Sequence, residues 1–267
     1  MRTSIHVREL LYSARFSRMY YRNDVKDVNS DRLNTTLAKQ YNFDVKALLK
    51  KASELTKANF SPLLQSSIVM FLTFVVMGVI AQRFITVNGD GSYVIEHQSI
   101  IEIVAICLVS PLITGLYMAG VKHARGESTT VFSVFAYFPL LFLVALTQLI
   151  NSILVQLGVV LLILPGVYFY LASSFSLMLV ADRKLTPISA IILSCRVFNA
   201  YWKQMLGIFG VFFLLFATVP LTFGLSLIWV LPFYFSTMGL IYEELVGEQG
   251  ANVITSGSDV KESNFNA

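Results

Sequence analysis

Long apolar runs without charge constrain this chain more than any other feature. A helix needs about 20 apolar residues to cross a bilayer core of roughly 30 Å. Residues 63–81, 100–121, 131–150 and 155–181 meet that length, and only the second carries a charge, Glu102 near one end. The last apolar block, residues 206–241, would extend about 54 Å as a helix and is too long for one crossing.

The composition supports a membrane protein over a soluble one. Charged residues make up 13% of the chain and hydrophobic residues 55%, whereas soluble domains carry about 25% charge. So few charges could not cover the surface of a soluble protein of this size, so lipid must cover part of it. We therefore predict an all-α fold, a polytopic membrane helix bundle with about six transmembrane helices and interfacial amphipathic helices.

Proline and glycine divide the last apolar block. Pro220 lies near its middle and Gly224 follows, so we expect a turn there and two spans, residues 202–219 and 225–241. We also expect Pro232 to kink the final span.

Further helix breaks are predicted at Pro111 in the second span and at Pro165 with Gly166 in the fourth. These two spans run in the same direction through the membrane. Broken helices at matching positions can mark a transporter site, although simple packing also produces them.

The placement of Lys and Arg indicates the orientation. Nineteen of the twenty lie in alternate segments: before the first span, between spans two and three, between spans four and five, and after the last. The remaining one is Arg83. Because positive residues stay in the cytoplasm, we predict a multi-pass membrane protein with cytoplasmic N- and C-termini.

Two amphipathic segments flank the spans. Residues 43–61 and 187–204 place apolar residues at helical spacing, with basic residues on other faces. They are predicted to pack under the bundle or to bind lipid at the inner surface. Residues 5–20 are a third candidate, as a peripheral helix or an arm. The candidate lipid or interface residues are Arg125, Arg183, Lys184, Arg196, Trp202 and Lys203.

These features predict three regions. Residues 1–59 form a basic cytoplasmic segment with an amphipathic helix, residues 60–245 a six-span membrane domain, and residues 246–267 a disordered cytoplasmic tail. Part of the basic segment could precede a start at Met19.

The sequence contains few residues or motifs that indicate a catalytic or binding site. We predict no catalytic, cofactor-binding or metal site, because the histidines are scattered and no nucleotide-binding or hydrolase motif occurs. Cys107 and Cys195 are predicted to be free thiols. The polar residues within the spans serve helix–helix hydrogen bonding or line a small cavity; they are Gln65, Ser66, Ser67, Ser110, Gln148, Asn151, Gln156, Ser173, Ser174 and Ser176. Glu102, Glu243 and Glu244 are predicted to be solvated helix ends.

One stretch resembles a known family. Residues 155–205 contain Pro165-Gly166, the sequence Val180-Ala181-Asp182, and an amphipathic stretch with Ser189 and Ser194 that ends near Trp202. This pattern resembles the YciC-like bacterial inner-membrane proteins and related six-span membrane proteins, over about residues 60–245. The resemblance implies a six-helix inner-membrane protein and no particular activity.

Three functional hypotheses follow. The leading one is a non-enzymatic protein with an envelope, lipid-associated or scaffolding role, whose partners are membrane lipids and other inner-membrane proteins or a second copy, and not nucleic acid. The alternative is a transporter or permease for a small solute or a lipid, and a polar cavity between the second and fourth spans would favour it. A membrane enzyme is the third.

The predicted topology has a direct test. A reporter fused after Val246 should read as cytoplasmic, because six crossings return the chain to its starting side. A periplasmic reading would mean that the turn at Pro220 is wrong and that residues 206–241 cross once.

Overall fold

The computed structural model describes residues 36–37, 44–87, 93–95 and 98–247. The chain divides into two units: Asn42–Glu244 form one, and Met1–Tyr41 with Leu245–Ala267 form the other. In the second unit the Thr36 hydroxyl donates to the Leu245 carbonyl at 2.9 Å. The predictions for residues 5–20, for the turn at 88–91 and for the tail beyond 247 lie outside the described residues.

Helices dominate the described part of the chain. The α-helices are α1 (Val45–Ala58), α2 (Phe60–Ala81), α3 (Gln98–Ala124), α4 (Leu141–Leu161), α5 (Ile163–Ala172), α6 (Ser176–Arg183), α7 (Pro187–Ala200), α8 (Trp202–Leu221) and α9 (Leu227–Leu245). Two 3-10 helices cover Gln82–Phe84 and Val131–Leu140. Two short strands, β1 (Ile85–Val87) and β2 (Tyr93–Ile95), pair antiparallel between α2 and α3.

Five described segments are long and apolar enough to cross a membrane: Phe60–Phe84, Ile100–Ala124, Val131–Leu161, Ile163–Arg183 and Trp202–Leu221. The prediction of an all-α polytopic bundle is confirmed. The sixth predicted span is the helix α9 of 19 residues, but it is not among the five. Its second half carries Ser236, Thr237, Glu243 and Glu244, which reduce its apolar character.

The boundary between the third and fourth spans differs from the prediction. We expected a turn between residues 150 and 155, yet α4 continues to Leu161. The turn is a single extended residue, Leu162, with φ −163° and ψ 147°. Packing explains the late turn, since α4 and α5 approach so closely that a Cβ on Gly158 would lie 2.7 Å from the Gly166 Cα.

The predicted helix breaks at Pro111 and at Pro165 with Gly166 are wrong. The fourth span is broken, but at a different position. Helix α3 continues through Pro111. Pro165 is the third residue of α5, where its missing N–H costs nothing because first-turn N–H groups have no partner within the helix. The break in the fourth span comes instead at residues 173–175, between α5 and α6.

The predicted turn after Pro220 is confirmed. Helix α8 ends at Leu221, and Gly224 has a positive φ of 87°, which glycine adopts without steric cost. The Gly224 N–H donates to the Val219 carbonyl at 2.9 Å. Pro232 lies inside the continuous helix α9.

Both amphipathic segments are helices. Helix α1 begins at Asp44, whose carboxylate accepts from the Lys46 N–H at 2.9 Å, and it buries Leu48 and Ala52. Helix α7 buries Ile191, Val197 and Phe198 and ends at Ala200, so that Trp202 belongs to α8. The burial of these residues supports packing of both helices against the rest of the protein.

Helices α3 and α9 pack with their backbones in close contact. A Cβ on Gly239 would lie 2.2 Å from the Gly120 carbonyl carbon, and a Cβ on Gly120 would lie 2.1 Å from the Phe235 carbonyl oxygen. Small residues permit such close backbone contact in membranes, where van der Waals packing drives helix association.

Replacing Gly239 with alanine should lower the free energy of unfolding by about 1–3 kcal/mol or more, because the added methyl overlaps the α3 backbone. Gly210→Ala is the matched control, since a Cβ there meets nothing within 4 Å. It should be neutral or stabilising by up to about 1 kcal/mol. Unfolding in mixed detergent would compare the two, and equal effects would contradict the contact.

Candidate functional site

A polar cavity lies where the fourth span is broken. Its volume is about 300 Å³, and it is lined by residues from α3, α4, the α5–α6 break, α8 and α9. The lining residues are Ile113, Tyr117, Gln148, Asn151, Ser152, Val155, Gln156, Tyr170, Ser173, Ser174, Ser176, Leu177, Phe209 and Tyr234. The cavity therefore lies between the second and fourth spans, as the transporter hypothesis requires.

The α5–α6 break is stabilised by a side chain from α7. The Ser194 hydroxyl donates to the Ala172 carbonyl at 2.6 Å and accepts from the Phe175 N–H at 3.1 Å. Backbone groups released by a helix break inside a membrane need such partners, because lipid supplies none. Ser194 is fully buried, so the break is a fixed feature of the fold.

A short hydrogen-bond chain connects the break to α4. The Asn151 amide nitrogen donates to the Ser176 hydroxyl at 2.8 Å, and that hydroxyl donates to the Ser173 carbonyl at 2.7 Å. Asn151 is 6% exposed, and its Oδ1 has no hydrogen-bond partner among the described residues. The Ser174 hydroxyl is likewise buried without a described partner. Both residues belong to the cavity lining.

Exposure increases along α4 from Asn151 to Gln156. Asn151 is buried, Ser152 is intermediate, and Gln156 is exposed. We refer to the Asn151 end of the cavity as its floor and to the Gln156 end as its mouth. The Gln156 amide donates to Glu102 at 3.2 Å, so the Gln156 end lies near the start of α3. Glu102, which was predicted to be a solvated helix end, therefore has a hydrogen-bond partner in Gln156.

Tyrosines form one wall of the cavity. The hydroxyls of Tyr117 on α3 and Tyr234 on α9 are 3.0 Å apart, and Phe235 packs edge-on against Tyr117. Our sequence analysis did not select either tyrosine. The available signal was a phenol within an apolar span, which needs a polar partner when buried.

The polar residues predicted as cavity lining or helix contacts divide into two groups. Six of them meet at the cavity: Gln148, Asn151, Gln156, Ser173, Ser174 and Ser176. The hydroxyls of Ser66, Ser67 and Ser110 instead donate to carbonyls four residues earlier in their own helices. Gln65 donates to the Ser61 hydroxyl within α2.

A network of charged side chains lies at the other end of α3. Arg125 makes two parallel hydrogen bonds to Asp182 at 2.9 Å each, and its Nε donates to Glu243 at 2.8 Å. The Tyr242 hydroxyl also donates to Asp182 at 2.9 Å. The network therefore joins the ends of α3, α6 and α9.

The charged side chains of this network are largely shielded from solvent. The side chains of Arg125, Asp182 and Glu243 are 15%, 14% and 7% exposed. Burial by itself lowers the pKa of the Arg125 guanidinium, but the hydrogen bonds and charges of Asp182 and Glu243 outweigh it and raise that pKa above its usual value. Glu243 was predicted to be a solvated helix end. That prediction is wrong, because the carboxylate is buried against Arg125.

The predicted interface residues occupy different environments. Lys184, Arg196, Trp202 and Lys203 are exposed, and the Lys203 ammonium lies 5.7 Å from the Trp202 ring centre. Arg183 is half-buried at the end of α6. Arg125 was grouped with them, but its guanidinium binds carboxylates within the bundle.

Other site chemistries find no support in the described part of the chain. No group of three or more His, Cys, Asp or Glu side chains that could hold a metal occurs there. His123 is buried, and its Nε2 lies 2.8 Å from the Thr129 hydroxyl. Cys107 and Cys195 are free thiols.

Comparison with known proteins assigns this chain to no family. No protein-family model, curated protein or solved structure matches this chain. The resemblance to YciC-like proteins therefore stays a prediction, and function must be argued from the cavity and the ionic network.

Arg125→Ala should lower the free energy of unfolding by about 3–5 kcal/mol, because it leaves two buried carboxylates without their cation. Arg125→Lys should recover only part of that loss, since an ammonium cannot form the paired bonds to Asp182. The control is Lys51→Ala, which removes the bond between an exposed lysine and Glu244. That change should cost less than about 1 kcal/mol. Equal losses in detergent unfolding would refute the assignment.

Proposed function

We propose that this protein is a membrane carrier that binds a small polar molecule in the cavity at the α5–α6 break. The observation that carries the proposal is the coincidence of a broken span with a polar cavity inside an otherwise apolar bundle. Discontinuous helices near the membrane midplane are a recurrent way to build transporter sites. A purely structural role gives no reason to keep an unpaired amide oxygen buried, since such groups cost stability.

The two ends of the bundle carry different features, one an exposed residue of the cavity and the other an ionic network. This difference supports transport over simple binding. The exposed lining residue Gln156 lies near the start of α3, whereas the Arg125 network joins three helices at the end of α3. Helix α6 contributes both Ser176 to the cavity and Asp182 to the network. Movement of this eight-residue helix could therefore couple ligand binding to opening of the network.

The path of α9 supports six crossings. Along α3, Tyr117, Gly120 and Arg125 meet Tyr234, Gly239 and Glu243 in the same order, so the two helices run parallel. Three crossings separate the end of α3 from the start of α9, and an odd number is what a parallel α9 requires. We infer that α9 crosses the membrane beside α3.

We propose a bacterial inner membrane location with both termini cytoplasmic. The Lys51–Glu244 ion pair links α1 to the last turn of α9, which supports placing both at one face. The positive-inside rule makes that face cytoplasmic. The cavity would then open outward, with the ionic network closing the cytoplasmic end. A scaffolding role, our leading prediction from sequence, is less favoured because it leaves the cavity without a purpose.

Cysteine accessibility tests this carrier. In a background with Cys107→Ala and Cys195→Ala, we expect Asn151→Cys and Ser174→Cys to react with a membrane-impermeant maleimide from the periplasmic side only. Adding Glu243→Gln weakens the network and should increase labelling from the cytoplasmic side in inverted vesicles.

Ser66→Cys is the matched control, because this serine is 1% exposed and lies in α2 away from the cavity. It should label from neither side. The carrier is contradicted if the cavity cysteines stay unlabelled from both sides in every variant, which would indicate a sealed void.

A further inference from the structure

The lining of the cavity carries no formal charge in the part of the chain that the structure describes. Its polar groups are amides, hydroxyls and phenols. The charged side chain close to it is Glu102, which is held by Gln156 at the mouth. A charged ligand would lose its hydration on entry and would meet no opposite charge inside.

The hydrogen-bond chain at the floor fixes what the ligand must offer. The Ser176 proton is committed to the Ser173 carbonyl, so the Ser176 oxygen can only accept, and the Asn151 atom that faces it must be the amide nitrogen. The other atom of that amide is therefore a carbonyl oxygen, an acceptor, and it is the buried atom without a partner. Asn151 lines the cavity, so a ligand there that supplies an O–H or N–H donor would satisfy this buried acceptor.

A second group reinforces this requirement. The Ser174 hydroxyl is also buried without a described partner, and a hydroxyl can both donate and accept. Asn151 on α4 and Ser174 at the α5–α6 break both line the cavity, so one ligand hydroxyl could accept from Ser174 while another donates to Asn151. A volume of about 300 Å³ is at the lower end of the range for ligand pockets.

We infer that the ligand is a small neutral molecule bearing hydroxyl or amide donors, which bind the free oxygen of Asn151 and the hydroxyl of Ser174. This assignment rests on the proposed carrier function and specifies its substrate class. The same chemistry occurs in a free polyol or sugar and in the hydroxyl headgroup of a neutral lipid.

Binding to the purified full chain in phosphatidylcholine nanodiscs tests the assignment. Equilibrium dialysis would compare radiolabelled glycerol and D-glucose with their anionic counterparts, glycerol 3-phosphate and D-glucose 6-phosphate, and with cationic ethanolamine. We expect saturable binding of at least one neutral probe and at least tenfold weaker binding of the charged ones. Nanodiscs containing diacylglycerol form a second arm, in which competition with the neutral probe would identify a lipid headgroup as the source.

Variants connect the binding to the two residues. Asn151→Leu should weaken neutral-probe binding about tenfold, as expected for one lost hydrogen bond of about 1.4 kcal/mol. Ser174→Ala should weaken it several-fold and disturbs the helix contact less, because the Ser174 hydroxyl has no described hydrogen bond to lose. Ser226→Ala is the matched control: its hydroxyl is also buried without a described partner, but it lies outside the cavity. Its binding should equal that of the wild type.

The outcomes separate this inference from the carrier itself. Charged probes that bind as tightly as neutral ones would overturn the neutral ligand and leave the carrier intact. Unchanged binding in both Asn151→Leu and Ser174→Ala would overturn the site. Absence of saturable binding by every neutral probe would also overturn the inference, while the cysteine accessibility pattern would decide separately whether a carrier exists.

Discussion

The contact between α3 and α9 is the interaction on which the rest of this structure depends. It places two glycines in backbone contact, pairs two tyrosine hydroxyls on one side, and joins Arg125 to Glu243 on the other. In lipid, helices gain little from the hydrophobic effect, so close packing and satisfied polar groups must hold them together. The same pair of helices therefore supplies a wall of the cavity and one corner of the ionic network.

The broken fourth span shows how a helix interruption is supported inside an apolar bundle. A helix interruption leaves backbone groups without partners, and Ser194 of α7 supplies them for Ala172 and Phe175. This support holds the backbone on either side of Ser174. A preorganised site loses less entropy on binding than one that must form around its ligand. The amphipathic helix α7, which looked like a surface element, thus has a structural role in the site.

Sequence reasoning recovered much of the fold and part of the site. Uncharged runs of about 20 residues located the membrane segments because lipid demands them, and Pro220 with Gly224 located the last turn. The helix breaks predicted at Pro111 and Pro165 were wrong, since a proline is tolerated both within a packed membrane helix and in a first helical turn. Six polar residues of the cavity were among those predicted to bond helices together or to line a small cavity. Nothing in their spacing showed that they meet at one place.

The sequence by itself determined that this chain is a helical membrane protein with amphipathic helices, because hydropathy and charge are properties of short segments. Only the tertiary structure decided which polar residues share a cavity, that Glu243 is buried against Arg125, and that the fourth span breaks at residues 173–175. These features depend on residues that are distant in sequence meeting at one place. Asn151 and Ser176, or Arg125 and Glu243, acquire their roles from helix packing, which no local pattern encodes.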